Sequence, residues 1–311
     1  MTDGESSMSD DEFAVRFKKL LPERLRKNQF IRLLVTTLVD NRLALFGFAV
    51  LFTVTVTAIF ADFIAPYDPA AQNIPERFLA PSLDHPMGTD RFGRDIFSRV
   101  VYGARLSLTV SIISVGFAMA MGVPLGLIAG YSERLVDETI MRFMDMLFAF
   151  PVIILAMPLV VILGQSTRNV MIAIGIVYTP IFTRVTRSAT LSVIEEDYVT
   201  AAKAIGESDF NIIRRDVLPN AIAPILVQGT ILLALATLVE AALAFIGIGT
   251  PPPTPSWGRM LSSARSHMGV AWWWAFFPGM AIALTILGWN VLGDAIRDTL
   301  DPKNDTETRG L

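Results

Sequence analysis

LSLTVSIISVGFAMAMGVPLGLIAGYS, residues 106–132, runs for 27 positions without a charged side chain. A helix rises ~1.5 Å per residue, so about 20 residues cross a hydrocarbon layer ~30 Å thick. This stretch reads as a helix in lipid. Moving outward, further charge-free stretches cover 43–61, 146–167, 217–239 and 266–293, with 19, 22, 23 and 28 residues. Apolar residues continue past Glu240 to 248. A shorter stretch, 169–183, holds 15 residues between Arg168 and Arg184, whose long side chains can snorkel to the two interfaces. The pattern predicts an all-α membrane protein with six transmembrane helices. Most spans carry a proline, among them Pro124, Pro151, Pro158, Pro180, Pro224 and Pro278. Bent helices of that kind suit a bundle that opens and closes.

Composition agrees. Of 311 residues, 52% are hydrophobic and 18% charged, with a mean hydropathy of +0.51. Soluble domains carry about a quarter charged residues. The chain has no cysteine, which excludes disulfides, thiolate metal sites and a Cys nucleophile. A net charge of −3 points to no nucleic-acid partner. The first apolar run begins after 42 mostly polar residues, so it reads as an uncleaved span rather than a signal peptide. With both termini cytoplasmic, that side holds 18 of the 26 Lys and Arg residues, which fixes the expected orientation. Residues 1–42 form a tail, acidic over 1–12 and basic-amphipathic over 13–38, suited to an anionic lipid surface.

Residues 184–216 separate the fourth and fifth spans. Within them, Tyr198, Ala201, Ala202 and Ile205 fall at i, i+3, i+4 and i+7 and make one thin apolar stripe. Gly206 can take positive φ and end that helix. Ser208 or Asp209 can cap a second helix, with Phe210, Ile213 and Val217 on one side and Arg214 and Arg215 on another. Leu218 and Pro219 mark the return to the membrane. A water-facing helical hairpin with a small-residue apolar face is a docking element. A solvated loop with incidental periodicity is the plainer alternative.

Thr200-Ala201-Ala202, then Gly206, then Leu218-Pro219, resemble the EAA loop of permease subunits in binding-protein-dependent ABC importers. Thr200 replaces the usual glutamate and Asp216 a common isoleucine, both on the exposed face. Three further runs resemble the C-type permeases of dipeptide, oligopeptide and nickel importers. They are His85-Pro-Met-Gly-Thr-Asp-Arg-Phe-Gly-Arg-Asp-Ile-Phe-Ser-Arg99 with Tyr102-Gly-Ala-Arg105, Pro252-Pro-Thr-Pro-Ser-Trp-Gly258, and Leu292-Gly-Asp-Ala-Ile-Arg-Asp-Thr-Leu-Asp-Pro302. The resemblance implies a type I importer transmembrane domain over 106–299, with 43–105 as an added first helix and external loop and 300–311 as a cytoplasmic tail. It implies a bacterial or archaeal cytoplasmic membrane, a second permease subunit, one or two cytoplasmic ATPase subunits that the hairpin contacts, and an extracytoplasmic solute-binding protein. It also implies peptides or similar small solutes.

The remaining marked residues read mostly as structure. Asp90 with Arg94, and Asp95 with Arg99, are i, i+4 pairs and predict a short external helix packed on the bundle. Asp145 and Asp294 each have an arginine three residues away, Arg142 and Arg297, and are expected to pair with it. Trp272, Trp273 and Trp274 read as an interface belt. His85 and His267 are isolated and make no metal site. Glu240 lies deep in the fifth span, where an ionisable group is costly. It is a candidate to line the solute path, or else a bond to a neighbouring helix or subunit. No G-x-x-x-x-G-K-[ST] motif and no nucleophile–base constellation occurs, so the chain is not expected to be an enzyme or to hold a cofactor. The rival class is an ion-coupled secondary carrier using Glu240; it would want several buried ionisable groups and repeated halves. A non-transporting scaffold subunit is the third.

Overall fold

The structure is a computed structural model and describes residues 42–300. The acidic and amphipathic tail and the last residues of the chain lie outside the described residues. The helices are α1 (Arg42–Ile59), the short α2 (Ala61–Ile64), α3 (Ile96–Tyr131), α4 (Arg134–Phe148), α5 (Val152–Leu163) and α6 (Thr167–Ile194). There follow α7 (Asp197–Ala204), α8 (Asp209–Ile212), α9 (Leu218–Phe245), α10 (Trp257–Ala264) and α11 (Trp273–Leu300).

Five runs are long and apolar enough to cross a membrane: α1, α3, α6, the α8–α9 run and α11. The α4–α5 pair makes a sixth if the bent pair is one span, and the third and fourth stretches differ in detail from the sequence reading. The short fourth stretch is part of α6, a full 28-residue helix. The third, 146–167, is no straight span: α4 and α5 meet at 90°, and α5 has only 12 residues, about 18 Å at 1.5 Å per residue. Pro151, which has no N–H to continue α4, stands immediately before α5, and Gly164 at φ +92° ends it. Helix α6 tolerates its arginines because α4 answers them. Arg187 donates to Asp137 at 2.6 Å and Arg184 to Asp145 at 2.6 Å. Asp145 therefore pairs across helices rather than with Arg142, which takes Glu138. Asp294 and Arg297 form no ion pair with each other.

Helices α3 and α6 form the centre. Gly122, Gly126 and Gly130 recur every four residues along α3, and α6 lies directly on them. A Cβ at Gly126 would sit 2.6 Å from the Thr183 carbonyl oxygen, and one at Gly130 2.7 Å from Thr190 Cβ. Small residues at this spacing let membrane helices approach closely, where packing rather than water expulsion drives association. Val110, Val115, Ala118, Ile174, Phe182 and Ile225 fill the core that α9 closes. Helix α1 is held at the edge of the bundle by Gly47 against Gly288 of α11.

The bundle has two differently built ends. At one, the loop before α3 and the segment between α9 and α11 interlock as a cap. Trp257 donates its indole N–H to the Val100 carbonyl at 2.9 Å, and Thr167 meets Thr250 at 3.0 Å. The expected short external helix does not form. Gly93 turns the chain at φ +69°, where a Cβ would collide with the Asn73 carbonyl. Arg94 does reach Asp90, at 2.7 Å, but across that turn. Asp95 is the N-cap of α3: the Ser98 N–H and Oγ–H both donate to it at 2.7 Å. His85 is not isolated. Its Nδ1 lies 3.0 Å from Asp95 and its Nε2 3.5 Å from Glu76, with the Tyr67 ring alongside. Of the three tryptophans only Trp272 faces outward; Trp273 and Trp274 are buried in the cap, Trp274 beside Phe78 and His267.

Candidate functional site

The other end carries the hairpin, 197–217. Helix α7 begins with acidic residues where the helix dipole favours them. Its C-terminus is a Schellman closure: Gly206 N–H donates to the Lys203 carbonyl at 3.0 Å and Glu207 N–H to the Ala202 carbonyl at 3.1 Å. Gly206 takes φ +81° with open space around it, so the backbone there, not packing, requires glycine. Helix α8 starts after Ser208 and passes through a π turn, Ile213–Val217, into α9. Pro219 follows directly; it has no N–H for the i−4 ladder and its ring crowds the carbonyl four residues back.

The hairpin is anchored on one side only. Val199, Ile212 and Val217 are fully buried and pack with Leu127 of α3. Tyr131 Oη–H, at the end of α3, donates to Asp209 at 2.8 Å. On the far side, Ile205 is 82% exposed and Phe210 71%, with Tyr198 and Ala201 exposed beside them and Ala202 half-buried. At the root Leu218 is half-buried and Pro219 exposed. The stripe read from sequence is therefore the outward face. The inward anchors Val199 and Ile212 escaped that reading, and Phe210 does not share a face with Val217. The phase change has a cause: α8 is a single turn, and the π turn after it shifts the register.

Glu240 lies in α9 at 1% exposure. Ser107 of α3 donates to one carboxylate oxygen at 3.1 Å and Ser256 to the other at 3.0 Å. Beside it, Gly258 presses on α9 so closely that a Cβ would lie 2.1 Å from the Ala241 carbonyl oxygen. One carboxylate thus joins α3, α9 and the segment leading into α10, with each oxygen hydrogen-bonded. Among the described residues no group of three His, Asp or Glu side chains is placed to hold a metal.

This is a polytopic helical membrane protein with a closed cap, a buried carboxylate brace and an anchored hairpin that exposes apolar side chains: a transport subunit by architecture. Comparison with known proteins makes it specific. The family model described as "Binding-protein-dependent transport system inner membrane component" matches residues 122–306, and that of the "N-terminal TM domain of oligopeptide transport permease C" matches 29–81. The dipeptide transport system permease protein DppC of Alkalihalophilus pseudofirmus is 47% identical over 263 residues, 85% of this chain and 86% of its own length. The di/tripeptide permease DppC of Pseudomonas aeruginosa is 42% identical over 269 residues, 85% of this chain and 89% of its own length. The glutathione permease GsiD of an Escherichia coli strain is 45% identical over 251 residues, 80% of this chain and 82% of its own length. Among solved structures, the MetNI methionine ABC transporter in an inward-facing conformation superposes with a TM-score of 0.54 at 20% identity. That match covers 65% of this chain and 97% of the other, and it shows the fold.

The chain belongs to the inner-membrane permease components of binding-protein-dependent ABC importers. Its fold is that of the type I importer transmembrane domain. The ion-coupled carrier reading finds no support among these relatives.

Proposed function

We propose that this permease is one of two that together enclose a path for peptides or peptide-like solutes, delivered by an extracytoplasmic binding protein and driven by cytoplasmic ATPase subunits. Both termini then lie in the cytoplasm, as the basic residues favour. The hairpin is the coupling element. Tyr198, Ala201, Ala202, Ile205 and Gly206 form the face that seats in an ATPase groove, and Leu218 and Pro219 tie it to α9. The observation that carries this reading is the contrast within the hairpin: buried anchors at Val199, Ile212 and Val217, and apolar tips left in water at Ile205 and Phe210. Exposed apolar side chains on a rigid, anchored element mark an interaction surface. Glu240, a solute-path candidate on sequence grounds, reads as a brace, because it is 1% exposed and Ser107 and Ser256 each donate to one of its oxygens.

The test is Gly206→Asp in the reconstituted complex. The variant should insert and fold with strain confined to the hairpin backbone, because φ is positive there but nothing surrounds that position. Its solute-stimulated ATP turnover should fall to the unstimulated rate; normal stimulation would remove the hairpin from the coupling scheme.

A further inference from the structure

Two sequence motifs have no role in that coupling scheme, His85–Arg99 and Pro252–Gly258. They meet in the cap around a cavity of about 500 Å³ whose lining includes Arg91, Arg94, Arg99 and Arg259 but no carboxylate. Among the described residues, Asp90 is the only acid within ion-pair distance of any of the four. It bonds Arg94 at 2.7 Å and stands 4.0 Å from Arg99 Nε. Arg91 and Arg94 lie over the Phe92 ring at 4.6 and 4.8 Å, which fixes their direction without neutralising them. Arg259 donates to the Thr250 carbonyl at 2.9 Å. Arg99 is 5% exposed; its Nη1 donates to the Pro69 carbonyl at 2.7 Å, and its Nε–H is buried with no hydrogen-bond partner.

Four guanidinium groups thus face one carboxylate. Guanidinium does not shed its proton in proteins, so the repulsion cannot be relieved by titration. A buried N–H without a partner and an excess of like charge are both costly. An anion in the cavity offsets the excess of like charge, and the flat guanidinium fork matches a carboxylate with two parallel hydrogen bonds. The volume falls in the ~300–1,000 Å³ range of small-molecule sites.

We propose that this cavity binds a carboxylate carried by a small solute, with Arg99 as its buried base and Arg91 and Arg259 as its outer arms. The anion chemistry stands on the cap alone; naming the carboxylate as a peptide C-terminus rests on the peptide-importer reading.

The experiment uses the permease–ATPase complex in nanodiscs without binding protein. Binding of L-alanyl-L-alanine, its C-terminal amide, succinate and inorganic phosphate is followed by calorimetry. The dipeptide should bind and its amide should not. Arg91→Gln combined with Arg259→Gln should weaken the dipeptide at least tenfold without lowering the unliganded melting temperature. Equal binding of dipeptide and amide, or unchanged affinity in the double variant, overturns the proposal. Binding of phosphate alone overturns it too and reassigns the cavity to phosphate groups such as lipid headgroups. Binding of succinate without the dipeptide sustains the carboxylate site and removes the peptide from it.

Discussion

The cap and the hairpin sit at opposite ends of one bundle and solve opposite problems. The cap is rich in charge, yet Asp90, Asp95, Ser98 and Thr89 are all buried, and most of its polar groups are spent on one another. The hairpin includes an alanine-rich stretch, yet its isoleucine and phenylalanine tips point into water. Hydrophilicity alone would call the cap the sociable surface. Satisfaction says otherwise: away from its arginine cavity the cap's groups have partners and that side is finished, whereas the hairpin's apolar tips have none and are open to another chain.

Asp95→Ala attacks the finished side. It removes the N-cap of α3 and the carboxylate facing His85, and should cost about 3 kcal/mol of stability. A large fall in melting temperature of the purified subunit checks this; an unchanged value would mean the cap is not self-supporting. Ile205→Asp attacks the unfinished side. It should weaken ATPase binding by about 2 kcal/mol, roughly thirtyfold, because apolar anchors dominate such interfaces. Its melting temperature should match the wild type, and a matching fall there would erase the contrast. Gly206→Ala is a finer probe. With positive φ and no neighbour to strike, it should cost about 1 kcal/mol through backbone strain alone, read as local hydrogen exchange in the hairpin.

The smallest effect concerns the rim of the cap. The Tyr102 hydroxyl, and then Arg105, hold the exposed Asp62 carboxyl below its ordinary value. A depressed carboxyl stabilises the fold above its unfolded value, about 3.9, and loses that contribution as pH falls through its folded value. Melting curves of wild type and Asp62→Asn should differ slightly and constantly from pH 5 to 8 and converge below about pH 4. Convergence at higher pH would mean Asp62 is not held down.

The spans were legible because charge is costly in lipid and its absence is visible over 20 residues. At 146–167 composition hides the geometry: Pro151 interrupts the apolar stretch, and α4 and α5 meet there at 90°. Conversely, Arg184 bounds the fourth stretch in sequence although α6 runs on through it and Arg187, because their partners, Asp145 and Asp137, are 39 and 50 positions away. Asp90 and Arg94 have helical spacing, but the glycine between them fits a tight turn equally well, and only the approach of Asn73 decides. In the hairpin the turn at Gly206 was readable and the anchors were not. A buried Val199 beside an exposed Tyr198 depends on where Leu127 lies, which no local pattern contains. The arginine cavity was hidden for the same reason: its walls come from motifs about 150 residues apart.

One element connects the two ends. Helix α3 has 36 residues, about 54 Å at 1.5 Å per residue. Asp95 and Arg99 mark its beginning in the cap, and Tyr131 joins its end to the hairpin. Its weak joint is Pro124, and Gly122 and Gly126, one on each side, are where α6 lies closest. α6 therefore splints the beam at the one point where it would fold. Held stiff, a beam tilting about its middle moves its two tips by equal distances in opposite directions. A push of one helical turn at the hairpin, ~5.4 Å, would thus arrive at the arginine cavity as an equal and opposite stroke.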